Sequence, residues 1–218
     1  MNDYSDSIGW PIKDPGWIGK IVIQSLINII PIIGQIALVG WMLAAVDNLR
    51  AGRLELPPAG FSFMGRGLNV FLVFLVYLAV CIAVFVVVIV FGFALIGAAA
   101  NNNGGVLGVI GGLLVVLGYG ILILAGLALY FLMAPIVVAT ERGGVGGGLN
   151  LPQIVAMARA RGSATLFAGL FALVGGLIGS LCSYITVAYG SAVMAGVIAV
   201  YERQIPNAPR LDQTGGHA

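Results

Sequence analysis

Gly67–Thr140 reads GLNVFLVFLVYLAVCIAVFVVVIVFGFALIGAAANNNGGVLGVIGGLLVVLGYGILILAGLALYFLMAPIVVAT, 74 residues without one Asp, Glu, Lys or Arg. A span of the hydrocarbon core takes about 20 helical residues at about 1.5 Å each, so this run is too long for one crossing. It carries its own break at Asn101-Asn102-Asn103-Gly104-Gly105. Asn and Gly supply turn geometry there, and their polar groups need water that hydrocarbon does not offer. The pattern predicts one helix from about Phe63 to Ala100 and a second from about Val106 to Val138. Val84–Phe93 is rich in β-branched residues, but it lacks the alternation of a membrane β-strand.

Two further uncharged runs flank this one, Ile21–Val46 and Gly162–Tyr201; together the three hold 140 of the 218 residues. Only 8% of the chain is charged, 60% is hydrophobic, and the mean hydropathy is +1.08. A soluble fold of this size cannot hide that much apolar surface. The arithmetic excludes a soluble enzyme and a disulfide-stapled secreted domain. A net charge of +2 without a basic cluster excludes a nucleic-acid binder. The expected fold is all-α: a polytopic integral membrane helix bundle of about six hydrophobic segments, two of them broken or hairpin elements.

Gly162–Tyr201 would measure about 60 Å as one helix, so it should break, and Ser180, Cys182, Ser183, Tyr184 and Thr186 mark the place. In the first run Pro31 and Gly34 sit near the middle, bracketed by Asn28 and Gln35. Proline removes a donor and clashes with the preceding turn. Two short helices follow, about Trp17–Ile30 and Gly34–Arg50, in a hairpin that dips into the membrane; one tilted span is the alternative. The N-terminus has no basic region leading into a short apolar stretch, so no cleavable signal is expected. Three parts result: an N-terminal cytoplasmic or interfacial segment 1–16, a single transmembrane helical domain 17–204, and a polar tail 205–218. Trp10 and Trp17 suit the headgroup layer.

With six segments, all ten Lys and Arg residues fall on one face, which the positive-inside rule makes cytoplasmic. The expected location is the cell membrane, multi-pass, with both termini cytoplasmic. Leu151, Ile154, Val155 and Ala158 form one helical face after the flexible Gly143–Gly148, and Arg159 and Arg161 flank it. This interfacial helix either senses lipid or partner, or merely seats the next span.

No ionisable group lies inside the runs, and no metal set, cofactor motif or nucleophile with a base is visible. Gln24, Ser25, Asn28 and Gln35 either line a polar cavity beside a broken helix or satisfy backbone freed by Pro31. Cys81 and Cys182 read as packing residues. Asp47, Arg50, Arg53 and Glu55 either pair with Arg66 or Glu141 or form a solvated face. Glycine is the unusual resource, 33 residues in all. Gly104, Gly108 and Gly112, then Gly175 and Gly179, then Ala188, Ala192 and Gly196, repeat at four-residue spacing. Such ladders let helices pack closely in lipid, within the chain or between subunits.

Ile32-Ile33-Gly34-Gln35-Ile36-Ala37-Leu38-Val39-Gly40-Trp41, then Asp47-Asn48-Leu49-Arg50-Ala51-Gly52 and Leu56-Pro57, resembles the numbered domain-of-unknown-function family 4013. These are polytopic membrane proteins of bacteria and archaea. Phe61, Phe63 and Gly67 fit its next element, and Cys182–Tyr189 with Tyr201-Glu202-Arg203-Gln204 fits its closing one. Pro58, following Leu56-Pro57, departs from the pattern. The resemblance implies a fold and a location but no activity. The residues lead to a non-catalytic scaffold or accessory subunit acting by helix packing with itself or a larger membrane complex. The alternative is a small uncoupled channel or transporter for neutral or lipid-like solutes. The expected partners are the lipid bilayer and membrane subunits, with no nucleic acid.

Overall fold

A computed structural model of the chain describes residues 3–102, 104–181 and 185–204. Among them there are eight α-helices and one 3-10 turn, and no strand. The short α1 (Asp6–Gly9) runs into the 3-10 turn Trp10–Lys13, followed by α2 (Trp17–Asn28), α3 (Ile33–Arg50), α4 (Met64–Asn102) and α5 (Gly105–Gly148). After them come α6 (Leu151–Ala160), α7 (Gly162–Leu181) and α8 (Ile185–Arg203). The tail at 205–218 lies outside the described residues, as does Cys182–Tyr184, the centre of the break expected between α7 and α8.

The first run is a hairpin. Pro31 is exposed in the turn, and Ile32 takes φ of +65°, a conformation costly for a β-branched residue. Gly34 makes that turn possible, because a Cβ there would stand 2.8 Å from the Asn28 Cα at the end of α2. Lys20 in α2 donates to the carbonyl of Leu56, and Trp41 in α3 donates to that of Pro57. The first turn of α2 and the middle of α3 therefore meet the same Leu56–Pro57 segment, which one tilted span could not achieve.

α3 and α8 form the centre. Trp41, Ala45, Val46, Ala188, Ala192, Val193 and Ala195 are all fully buried. The N-terminal segment packs into this centre as well. Trp10, expected at the headgroup layer, is fully buried; its Nε1 donates to the Ala192 carbonyl at 2.9 Å. Tyr189 donates to the Ile8 carbonyl at 2.6 Å, and Tyr4 stacks on Phe171.

α4 and α5 form a long antiparallel pair. Their seam sets Ala99 beside Gly108, Ile96 beside Gly111, Val115 beside Gly92, and Ile89 beside Gly118. The spacing alternates three and four residues on both helices, the 3.5-residue period of a coiled-coil seam. This departs from the four-residue ladder read in the sequence. Gly108 and Gly104 lie near Ala99 at ordinary contact distance, whereas a Cβ on Gly112 would meet nothing within 4 Å. Steps of exactly four advance about 40° past a full turn, so Gly112 has rotated off the seam and Gly111 takes its place. α5 also runs past the expected end at Val138 as far as Arg142. It then breaks at Gly143 and Gly144, the latter with φ of +62°. Gly147 and Gly148 fold back against Ala139 and Thr140, so the glycine-rich segment is an ordered reversal.

The lengths separate into two classes. Arg50, Arg66, Glu141 and Glu202 meet at one end of the molecule. From that end α3 and α8 rise seventeen residues to Ile33 and Ile185, about 26 Å, whereas α4 and α5 rise thirty-six to Asn102 and Gly105, about 54 Å. The α4–α5 arms thus extend about 28 Å beyond the rest of the bundle. Gly111→Leu is expected to lower thermal stability in detergent by about 1–3 kcal/mol, since a Cβ there would already stand 2.6 Å from the Gly92 carbonyl. Gly112→Leu should leave the melting temperature of the isolated chain unchanged, and a comparable loss for both variants would refute this seam.

Candidate functional site: a charged node and cleft at the base of the bundle

The charges that end the uncharged runs converge at the base. Arg50, in the last turn of α3, pairs with Asp47 at 2.8 Å, with Glu141 of α5 at 2.5 Å and with Glu202 of α8 at 2.7 Å. Arg66, in the first turn of α4, pairs with Asp47 and reaches Glu141 at 2.7 Å. The Glu141 side chain is 7% exposed, and both of its oxygens are engaged. Arg203 adds a bond to the Leu49 carbonyl at 2.9 Å. Of the two readings of Asp47 and Arg50, pairing is the one formed. Arg53 and Glu55 take no part in the node: Arg53 binds Asn48 and Glu55 is exposed.

Against the node lies a cleft of about 390 Å³ between α3, α4 and α5. Leu43 and Val70 form its apolar wall; Arg66, Asn69, Thr140 and Glu141 form its polar one, and the Gly144 break closes it. Its ionic groups are already committed to one another, and the Thr140 hydroxyl donates to the Ile136 carbonyl. The cleft can therefore hold a group that offers both polar and apolar atoms, but it presents no unpaired charge.

A second polar node secures the N-terminus. Asp14 accepts from Lys20 Nζ at 2.7 Å and from the backbone N–H groups of Gly16 and Leu56, both at 2.8 Å. Burial pushes this carboxyl up, but the Lys20 bond, the two backbone donors and the Lys20 charge outweigh it and hold it below the usual aspartate range.

The residues singled out from the sequence do not form one site. Gly175 lies near Val193 and the Gly190 carbonyl, in the α7–α8 packing. The surroundings of Gly179 lie outside what the structure describes. Ala192 and Gly196 face Trp10 and Ser7, so their small-residue groove is filled by the chain's own N-terminal segment. Ile154 is fully buried against Val73, Ile136 and Ala139, Val155 is half-buried, and Arg159 and Arg161 stand at the end of α6. Gln24 and Ser25 are buried, Asn28 is half-buried and Gln35 is exposed, so Gln35 stands apart from the other polar residues of the first hairpin. Gln24 accepts from the Gly60 N–H at 3.1 Å, tying α2 to the α3–α4 connection.

Sequence reasoning considered Glu141 only as a possible partner and attached no role to Glu202. The available signal was their position, since each stands within one residue of the end of an uncharged run. Two helices, Met64–Ala100 and Gly105–Gly148, are long and apolar enough to cross a membrane. The bent pair Leu151–Ala160 and Gly162–Ile178, at 104°, makes a third if it counts as one span.

Glu141→Gln should cost about 1–3 kcal/mol in thermal or denaturant unfolding, because two half-exposed arginines lose a shared, nearly buried partner. Glu55→Gln should change stability by less than about 0.5 kcal/mol. The depressed Asp14 carboxyl contributes stability above the ordinary aspartate value of about 3.9, and that contribution is lost as pH falls through its lower folded value. Asp14→Asn should therefore destabilise at neutral pH by about 1–3 kcal/mol. It should also flatten the acid limb of the stability curve below about pH 4; an unchanged acid limb would show that Asp14 is not the titrating group.

A family described as "Protein of unknown function (DUF4013)" matches residues 23–199. No curated protein matches the chain. No solved structure matches it either.

Proposed function

The chain belongs to the DUF4013 family, and from that premise and the geometry above we propose that it is a multi-pass membrane scaffold or accessory subunit that works by helix packing. The observation that carries this is the mismatch between the two classes of helix length. With the charged node at the cytoplasmic headgroup level, the 26 Å helices fit a hydrocarbon layer of about 30 Å. The α4–α5 arms then stand well past the opposite interface. To immerse about 54 Å of helix in that layer would need a tilt near 56°, outside the usual range of about 0–40°.

The excess is not polar. Val87, Val90, Phe91 and Phe93 on α4 and Val109, Leu113, Val116 and Ile123 on α5 are all more than half exposed. Water does not tolerate a contiguous apolar surface of this size, so the arms call for a protein partner, either a second copy or another membrane subunit. α2 supports immersion of the bundle itself. It turns Gln24 and Ser25 inward, while Ile18, Ile23, Leu26 and Ile29 face outward at 52–61% exposure, the inverse of a soluble helix. In this reading both termini are cytoplasmic and the chain performs no catalysis.

Size analysis of the protein in mild detergent tests the reading. A discrete assembly larger than the chain is expected, and Val116→Glu should dissociate it without lowering the melting temperature of the released monomer. A monomer that conducts neutral solutes in vesicles would overturn the scaffold in favour of a small uncoupled channel.

A further inference from the structure

The cations of the base differ in their partners, with Arg53 holding Asn48 and Arg203 the Leu49 carbonyl. Arg50 and Arg66 are neutralised by Asp47, Glu141 and Glu202. Arg142, Arg159 and Arg161 have no carboxylate within ion-pair distance among the described residues, and Arg142 and Arg159 are exposed. These three are separated in sequence by the Gly143–Gly148 reversal and α6, yet Arg142 and Arg161 each stand next to the node, and Arg159 is two residues from Arg161 at the end of α6. Arg142 directly follows Glu141 of the node. Arg161 directly precedes α7; its carbonyl accepts from the Thr165 N–H at 2.9 Å, and the Thr165 hydroxyl lies 3.5 Å from that of Tyr201. Tyr201 in turn neighbours Glu202, the node's contribution from α8.

The orientation of α6 gives this patch a use. α6 meets α7 at 104°, so with α7 along the membrane normal α6 lies nearly in the plane of the interface. Its inner face is fixed by Ile154 against the root of the α4–α5 arms. Leu149 and Leu151, at the start of α6, are 37% and 49% exposed, and Arg159 stands at its other end. In the plane of the interface the exposed leucines and the arginines lie at one depth, where acyl chains and headgroups are both within reach.

We propose that Arg142, Arg159 and Arg161 form a docking surface for anionic phospholipid headgroups at the cytoplasmic interface, with α6 as its platform. This rests on the membrane placement proposed above. Guanidinium groups bind phosphate through paired donors, and unneutralised cations near a membrane surface select anionic lipids over zwitterionic ones. The nearby Arg50 and Arg66 do not contribute, because the cluster they belong to carries three carboxylates for two guanidinium groups.

The test is a thermal-shift titration of the full chain in detergent with phosphatidylglycerol, cardiolipin, phosphatidylcholine or inorganic phosphate. The two anionic lipids should raise the melting temperature, and the other two should not. R142Q/R159Q/R161Q should weaken the half-saturating lipid concentration by about tenfold or more. R142K/R159K/R161K should restore most of it, which separates charge from structural damage. Single R159Q, at the most peripheral of the three positions, provides a reading if the triple Gln variant does not fold and should give a smaller loss in the same direction. An equal shift with phosphatidylcholine or inorganic phosphate, or a full shift in the triple Gln variant, would overturn the headgroup site while leaving membrane placement intact. Indifference to every lipid would count against both.

Discussion

The shared engagement of Glu141 by Arg50 and Arg66 is the contact on which the rest of the architecture depends. It joins the end of α3 to the start of α4 and the end of α5, and Glu202 brings in the end of α8. Four helices are thereby pinned at one level, and every other height in the molecule follows from counting residues upward from that level. A single exposed ion pair contributes about 0–1 kcal/mol, so no one contact here is strong. What the network supplies is registration. α3, α4, α5 and α8 are apolar along their whole packed length, and apolar faces alone tolerate sliding. In lipid there is also no hydrophobic force between helices to select one register over another.

Close packing refines what the charges set. Gly40 and Gly67 let α3, the segment around Phe63 and the start of α4 cross backbone to backbone, and Gly92 with Gly111 does the same on the α4–α5 seam. At each of these positions a methyl group would fall on a carbonyl or amide of the neighbouring helix. The N-terminal segment completes the arrangement from the other side. Trp10 fills the groove over Ala192 and Gly196, and Asp14 holds the segment to Leu56, so the small-residue face of α8 is already occupied within the chain. The small-residue face of α8 is therefore not the surface that the proposed assembly would use.

Much of the fold was legible because hydropathy and breakers act locally. The turn at Pro31, the division at Asn101–Gly105 and the short helix from Leu151 each announce themselves within a few residues. What was not legible is set by distance across the fold. Whether Asp47 meets Arg66 or water depends on where α4 lands on α3, and no spacing within one run encodes that. The seam glycines failed for a subtler reason. Gly104, Gly108 and Gly112 look like a ladder along an isolated helix, but a long antiparallel pair follows a 3.5-residue contact period, and this selects Gly111. Trp10 misled in a similar way, since an indole beside prolines ahead of an apolar run suits a headgroup layer and a buried groove equally well, and only α8 decides between them.

The length classes and the charge classes both fit the orientation proposed above. Residue counting from the node places the ends of α3 and α8 one hydrocarbon thickness away and the tips of α4 and α5 nearly two. Arg142 adjoins the node in sequence, and none of the ten cations falls on the distal arms. Had the bilayer instead enclosed only the distal arms, the outward isoleucines of α2 and the outward Leu166, Phe167 and Leu170 of α7 would all face water. Placing the base at the cytoplasmic headgroups removes that cost and satisfies the cations in the same step. In that orientation the distal α4–α5 surface is the apolar region that neither the bundle nor the bilayer covers, and the proposed assembly rests on it.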